Sequence, residues 1–426
     1  MLYDRWCQVV SQRADQLALV DLAADRWWTF RQLAAETETG ERSNQRVVFP
    51  KGNSADFILT VLRAWSRRRV ICPLESSEPQ PHDLECFPAE IVHLKITSAT
   101  GGIPRLVAFT ASQLTADAET IVTTMGLRED WPNLGVISLA HSYGFSNLVL
   151  PLLLHGIPLI LAGGSLPEVL RRGAGGFQAL TLAAVPALWQ NWYDAGAIPP
   201  NVRLAISAGA PLPLGLEETV FARNHLKIHN FYGSSECGGI AFDGSSEPRQ
   251  DAALSGTPLL GVKVTVGDNG SFKVRSDAVG ETYWPESSPV LDNGVFHTND
   301  LGEVLCGKIF LRGRAGDQIN VAGRKVAPEA IEQVLAAHPE VRACLAFGVP
   351  SQDTQRGELI VACVAARRDL TDQSLRLFAL EKLPAWQVPR EWWVVDSLEV
   401  NGRGKVSRTA LRKRYLAEKQ KRIAEE

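Results

Sequence analysis

The strongest constraint on how this chain folds is a repeated local order. Short apolar or β-branched runs end at glycine- and hydroxyl-rich loops, and helical patterns lie between them. Asp56 to Trp65 carries apolar residues at helical spacing, and Val70-Ile71 follows as a buried strand. The blocks LTLAAVP from Leu180 and VRLAISAGAP from Val202 each read as a strand ending at a loop. Such alternation predicts an α/β fold with a largely parallel sheet. The chain has 426 residues, enough for about three compact units. A formal charge of −3 excludes a global basic field for nucleic acid or anionic lipid. The longest apolar stretch, Leu148 to Ala162, is interrupted by Pro151, His155, Gly156 and Pro158, so no membrane span is expected. The opening MLYDRWCQVVSQR has charges where a signal peptide needs an apolar stretch. Seven scattered cysteines without a C-x-x-C pair suit a reducing cytoplasm.

The texture changes twice. After Gly256, GVKVTVGDNGSFKVRS reads as two strands joined at Asp-Asn-Gly, which marks 256–315 as a β-rich subdomain. After Arg314 the pattern becomes QINVAG as a strand, PEAIEQVLAAH as a helix and VRACLAFGV as a strand. ELIVACVAA, a helix from about Thr371 and EWWVVD complete a compact α+β unit. The expected division is therefore a large multi-subdomain N-terminal domain, 1–315, and a small C-terminal domain, 316–426.

Four polar loops carry the chemistry. The first runs from Thr97 through Ser98, Thr100 and Gly102 to Arg105, where hydroxyls, backbone amides and one fixed charge can wrap a polyphosphate. The second, Phe231 to Gly239, places Tyr232, Gly233, Ser235 and Glu236 among small residues. The third, His297 to Asp300, precedes Arg314, and this carboxylate and guanidinium could hold a diol between them. The fourth, Asn401 to Val406, presents Lys405 on a flexible turn.

In series these resemble the adenylate-forming superfamily of acyl-CoA synthetases, peptide-synthetase adenylation domains and luciferases. TSATGGIPR is similar to its phosphate loop, and SAGAP, with Ala208 and Gly209, to its adenine-side loop. YGSSE resembles its Tyr-Gly-x-Thr-Glu motif, and TND its Thr-Gly-Asp motif. GRAGDQINVAGRKV resembles the domain junction, and GRGKVSR the catalytic-lysine loop. The resemblance covers nearly the whole chain. It implies ATP-dependent, AMP-forming activation of a carboxylic acid, then transfer to the phosphopantetheine thiol of CoA or of an acyl carrier protein.

The resemblance assigns roles residue by residue. Lys405 would bridge the carboxylate and the α-phosphate, and Glu236 would help hold Mg2+. Ser235 would bond the α-phosphate, Tyr232 would stack on adenine, and Asp300 and Arg314 would take the ribose. The small C-terminal domain is mobile in this family, with Gly316 at the hinge position and Gly323 where the pantetheine arm passes. His141 stands in the place of the substrate-gating aromatic. The residue beside it is Ser142, where amino-acid-activating relatives have an Asp, so an α-ammonium would lack a partner. A small apolar lining (Val185, Ala208, Gly209, Gly238, Gly239, Ile240) suits an aryl or fatty acyl group.

The departures are Ala99, Gly101 and Arg105 in the phosphate loop, Asn299 before Asp300, and contracted stretches at 36–45 and 75–90. They leave two alternatives: an adenylating relative with a non-thiol outcome such as β-lactone closure, or a weakened nucleotide- or carrier-protein-binding module. Gly302 to Lys308 spells the start of a Walker A loop, but Ile309 replaces the Mg-binding hydroxyl and no helix follows.

Overall fold

The computed structural model describes residues 2–39, 45–81, 84, 87–97, 105–351, 357–366, 370–398 and 406–425. The chain divides into two compact units. One comprises 1–265, 273–297 and 304–309; the other comprises 266–272, 298–303 and 310–426.

In the first unit the parallel sheet predicted by the strand-loop alternation is present. Its strands run in the spatial order Leu254–Pro258, Gly238–Phe242, Ile228–Ser234, Val202–Ser207, Leu180–Ala184, Asn133–Gly135, Leu159–Leu161, Leu17–Asp21 and Arg26–Thr29. The pairs from Ile228–Ser234 to Leu17–Asp21 are all parallel, and antiparallel pairs close both sides. Leu180–Ala184 is buried along its whole length, which is why it reads as an unbroken apolar run instead of an alternating one. Trp189 and Trp192 pack edge to face at 5.4 Å beneath this sheet, against Leu182, Ala205 and Ile228.

A second sheet has the order Thr282–Trp284, Leu106–Thr110, Ile91–Ile96, Val70–Ile71 and Val47–Val48. Its first strand comes from the 256–315 stretch and pairs antiparallel with Leu106–Thr110. The helix Ala111–Met125 touches Gly238–Phe242 of one sheet and both Ile91–Ile96 and Leu106–Thr110 of the other. Its limits are set locally. Thr110 accepts from Gln113 N while the Gln113 side chain accepts from Thr110 N, a reciprocal cap. Gly126, at φ +67°, ends it in the left-handed conformation.

The segment from Ser142 to His155 is helical throughout and contains a π-helical turn over Phe145–Val149. Gly144 lies so close to the loop that follows Asn133–Gly135 that an added Cβ would be 1.9 Å from Ser138 O. No side chain fits there.

The second unit is an α+β layer. Val341–Pro350 pairs antiparallel with Glu358–Ala366, which pairs parallel with Glu391–Val395. Period-two alternation splits its residues between two cores. Ala346, Ile360, Ala362 and Val364 face the helices Pro328–Ala336 and Asp372–Lys382. Phe347, Val349, Val361 and Cys363 face Leu411 and Tyr415 of the last helix, Arg408–Glu425. Arg408 is the polar anchor of this unit. It bonds Glu329 at 3.1 Å, Glu332 at 2.9 Å, the Ala346 carbonyl at 3.0 Å, and Asp317. Among the described residues no helix is long and apolar enough to cross a membrane.

Candidate active site

Both ends of the phosphate-loop candidate are pinned. Thr97 N donates to Arg105 O at 2.8 Å, and Arg105 N donates to Thr97 Oγ1 at 3.3 Å. The hydroxyl in turn donates to the same Arg105 carbonyl at 3.2 Å. Ser98, Thr100 and Gly102 lie outside the described residues, but the rungs at Thr97 and Arg105 fix where the loop leaves and rejoins its hairpin.

Next to that hairpin stands Tyr283, paired with Val107. The Arg105 guanidinium lies 5.5 Å from the centre of its ring. Its hydroxyl donates to Glu236 Oε1 at 3.2 Å. Burial, reinforced by the Glu236 charge, raises the phenol above its ordinary value, so it stays protonated and donating. Gly280 N donates to the Glu236 carbonyl at 2.8 Å, and Glu236 N donates to Ser234 Oγ at 3.2 Å. Tyr283 thus holds the carboxylate, while Gly280 and Ser234 hold the Glu236 backbone.

The rest of the motif is equally constrained. Ser235 Oγ lies 3.0 Å from Ser142 Oγ, joining the YGSSE stretch to the loop of His141. Tyr232 sits in register with Ala241 on the neighbouring strand. A Cβ on Gly233 would come within 2.6 Å of Gly238 O, so the turn from 234 to 238 closes only on glycine. Cys237 is fully buried, and burial pushes its thiol up to about 12, which removes it as a nucleophile.

His141 Nε2 is 2.9 Å from a carboxylate oxygen of Glu75. Ser142 is the neighbour of His141 in sequence, and Glu75 its carboxylate neighbour in space. Asn53 accepts from Leu139 N at 2.8 Å and ties the approach to this loop. The Tyr143 hydroxyl reaches the carbonyls of Ala184 and Ile206, each at 3.4 Å, bridging the ends of two parallel strands. Ala208 N donates to Ala184 O at 3.2 Å, and Gly209, at φ +87°, turns the chain immediately after. The small residues Gly238 and Gly239 are accounted for by packing. A Cβ on Gly238 would lie 2.0 Å from Asp117, and one on Gly239 2.6 Å from Leu259. Ile240 is fully buried.

In the second unit, Arg314 Nε donates directly to Asp300 Oδ1 at 2.7 Å, so the two groups expected to hold a diol between them lie side by side. Thr298 Oγ1 accepts from Asp300 N at 3.0 Å and donates to Asp300 O at 3.2 Å, so it holds the Asp300 backbone. Gly316 lies in a single 3-10 turn, Ala315–Asp317. Gly323, at φ +80°, forms with Ala322 the two-residue turn between Ile319–Val321 and Arg324–Val326, and the space beside its Cα is open. Lys405 lies outside the described residues.

Among the described residues no group of three acidic, His or Cys side chains could cage a metal. A single oriented carboxylate, Glu236, beside a phosphate-loop candidate fits Mg2+ held mainly by phosphate and water oxygens.

These features meet an independent finding. The AMP-binding enzyme signature matches residues 65–284, and the AMP-binding enzyme C-terminal domain matches 330–405. The chain belongs to the AMP-binding enzyme family. It is a member of the adenylate-forming superfamily, as the motif order implied. It is 27% identical over 330 residues to a 2-succinylbenzoate–CoA ligase of Salmonella typhimurium, covering 76% of this chain and 69% of the relative. It is 25% identical over 377 residues to the long-chain-fatty-acid–CoA ligase FadD13 of Mycobacterium tuberculosis, covering 81% and 71%. The fold is similar to that of ATP-bound MatB from Rhodopseudomonas palustris, with a TM-score of 0.85 at 19% identity and coverage of 97% and 99%. An o-succinylbenzoate-CoA synthetase from Bacillus subtilis matches with a TM-score of 0.82 at 19% identity, covering 96% and 97%.

Two kinds of residue escaped the sequence reading. Glu75 and Tyr283 belong to segments far from the motifs they serve, and only strand pairing and loop return bring them in. Lys95 and Asp117 did leave a trace: a charged residue inside the apolar run IVHLKI, and an acid on the apolar face of a capped helix.

Proposed function

We propose that this chain is an ATP-dependent, AMP-forming carboxylate–CoA ligase. The observation that carries the reading is the convergence on Glu236. Tyr283 from the phosphate-loop hairpin bonds its carboxylate, and its neighbour Ser235 bonds Ser142 of the gate loop. Relatives that act on 2-succinylbenzoate and on long-chain fatty acids support CoA as the acceptor. They also support an aryl or fatty acyl acid as the substrate.

In the first half-reaction a carboxylate oxygen attacks the α-phosphorus and pyrophosphate leaves. Both reactants are anions, so charge neutralisation and in-line positioning supply most of the acceleration. Thr97, Ser98, Thr100, Gly102 and Arg105 hold the phosphates, and Ser235 holds the α-phosphate. Tyr232, with the backbone at Ala208 and Gly209, takes the adenine. Asp300 and Arg314 take the ribose. Glu236 would hold Mg2+, whose charge would offset that of the phosphates. Lys405 bridges the carboxylate and the α-phosphate as a point charge on a long stem.

In the second half-reaction the thiol sulfur attacks the acyl carbon and AMP leaves. The C-terminal domain, jointed at Gly316 with its boundary near Ala315, withdraws Lys405 for this step, and the arm passes Gly323. A carrier-protein thiol is the alternative acceptor. The six described cysteines are all free, in keeping with a cytoplasmic chain.

Pyrophosphate exchange over a panel of aryl, fatty and α-amino acids tests the reading, the last group included because Glu75 offers a carboxylate at the gate. Exchange with an aryl or fatty acid is expected. Lys405→Ala should lower it by about a hundredfold or more, while thiol capture from a supplied acyl-adenylate survives. ATP binding without exchange for any acid would refute the ligase assignment, and equal loss of both steps in Lys405→Ala would refute the two-step use of that lysine.

A further inference from the structure

One lysine occupies the core of a strand. Lys95 lies in Ile91–Ile96, the strand that leads into Thr97, and its side chain is 3% exposed. Its ammonium is 3.7 Å from Asp117 Oδ2, 3.4 Å from Ser146 Oγ and 4.5 Å from the centre of the Phe109 ring. Asp117, equally buried, sits on the helix between the two sheets. Its Oδ2 accepts from Ser146 Oγ at 2.6 Å, and its Oδ1 accepts from Gly239 N at 3.2 Å. Gly238 packs directly on the same carboxylate. Burial lowers the lysine pKa while Asp117 opposes the shift.

A buried ion pair contributes little net stability compared with well-packed apolar side chains, so this one calls for another reason to exist. Its connections supply one. Asp117 grips the chain three residues beyond Glu236. Through Ser146 it also grips the helix that, one turn earlier, presents Ser142 to Ser235. Lys95 sits two residues before the phosphate-loop clasp at Thr97.

We propose that Lys95 and Asp117 are positioning residues, a buried pair that holds the Glu236 turn in register with the strand opening the phosphate loop. The inference rests on Glu236 serving the phosphates and their metal. Both Ser146 and Gly239 donate to this carboxylate, so the ammonium beside it holds in place the acceptor that both of them bind. Without the ammonium, the Asp117 carboxylate is a buried charge with no cation beside it, and removing one partner of a buried pair in this way strains everything bonded to the other. Charge-assisted hydrogen bonds are also roughly twice as strong as neutral ones.

Calorimetric binding of MgATP and of AMP to the full chain tests this with four proteins: wild type, Glu236→Gln, Lys95→Met, and Lys95→Met/Asp117→Asn. Lys95→Met should weaken MgATP about tenfold, with AMP changed less than about twofold, because AMP lacks the leaving phosphates. The double variant should regain MgATP affinity to within about threefold and recover its Tm. Its amide still accepts from Gly239 N, the Ser146 hydroxyl can rotate to accept from it, and no buried charge is left unpaired. Wild-type affinity in folded Lys95→Met, or equal losses for MgATP and AMP, would overturn the positioning role. A double variant as weak as the single one would do the same. Unchanged MgATP binding in Glu236→Gln would instead remove the role of Glu236, and this inference with it.

Discussion

Glu236 is oriented by a neighbour distant in sequence. Tyr283 reaches it from a strand that joins the phosphate-loop hairpin, and the phenol stays protonated because burial and the carboxylate both raise its pKa. Tyr283→Phe removes one hydrogen bond to a charged group, an interaction of about 1.5–3 kcal/mol when fully expressed. Pyrophosphate exchange should therefore fall roughly tenfold or more. The Arg105 contact to the ring and the Tm should change little. Unaltered exchange would mean that Glu236 is held by its backbone bonds alone. At this scale the motif residues were legible because they carry unusual chemistry at recognisable spacing. Their supports were not: Tyr283 and Glu75 show no local signal, and their roles exist only once the chain has returned to the site.

The elements explain why these supports can be rigid. The helix Ala111–Met125 is bounded by a reciprocal cap at Thr110 and by Gly126, and it wedges between two sheets. Its ends are written in the sequence as Thr110, Gln113 and Gly126, but the contact of its acid, Asp117, with Gly238 and Gly239 exists only once the sheet beside it has formed. The segment Ser142–His155 is similar. Its apolar run was visible, but the π-helical turn and the contact of Gly144 with Ser138 arise from close packing. Gly144→Ala should push this helix away from Ser138 and break the Ser142–Ser235 bond. The expected result is a loss of exchange activity of tenfold or more with the helical content retained, read by circular dichroism beside the assay. Full activity would show that the helix can shift without consequence for Ser235.

For the whole molecule, strand-loop-helix alternation predicted a parallel α/β layer, and the change of texture after Arg314 predicted a separate α+β fold. Both are present. What periodicity could not give was the placement of Thr282–Trp284, which leaves its sequence neighbours to pair with Leu106–Thr110. Such long-range pairing depends on which edges remain open after the rest has folded. The site inherits its geometry from that pairing. The most direct test of the ligase assignment is a phosphorus NMR and mass-spectrometric inventory of products when the chain is given ATP, Mg2+, CoA and the acid that drives exchange. AMP, pyrophosphate and acyl-CoA should accumulate in equal amounts. ADP and orthophosphate, or AMP without a thioester, would contradict it.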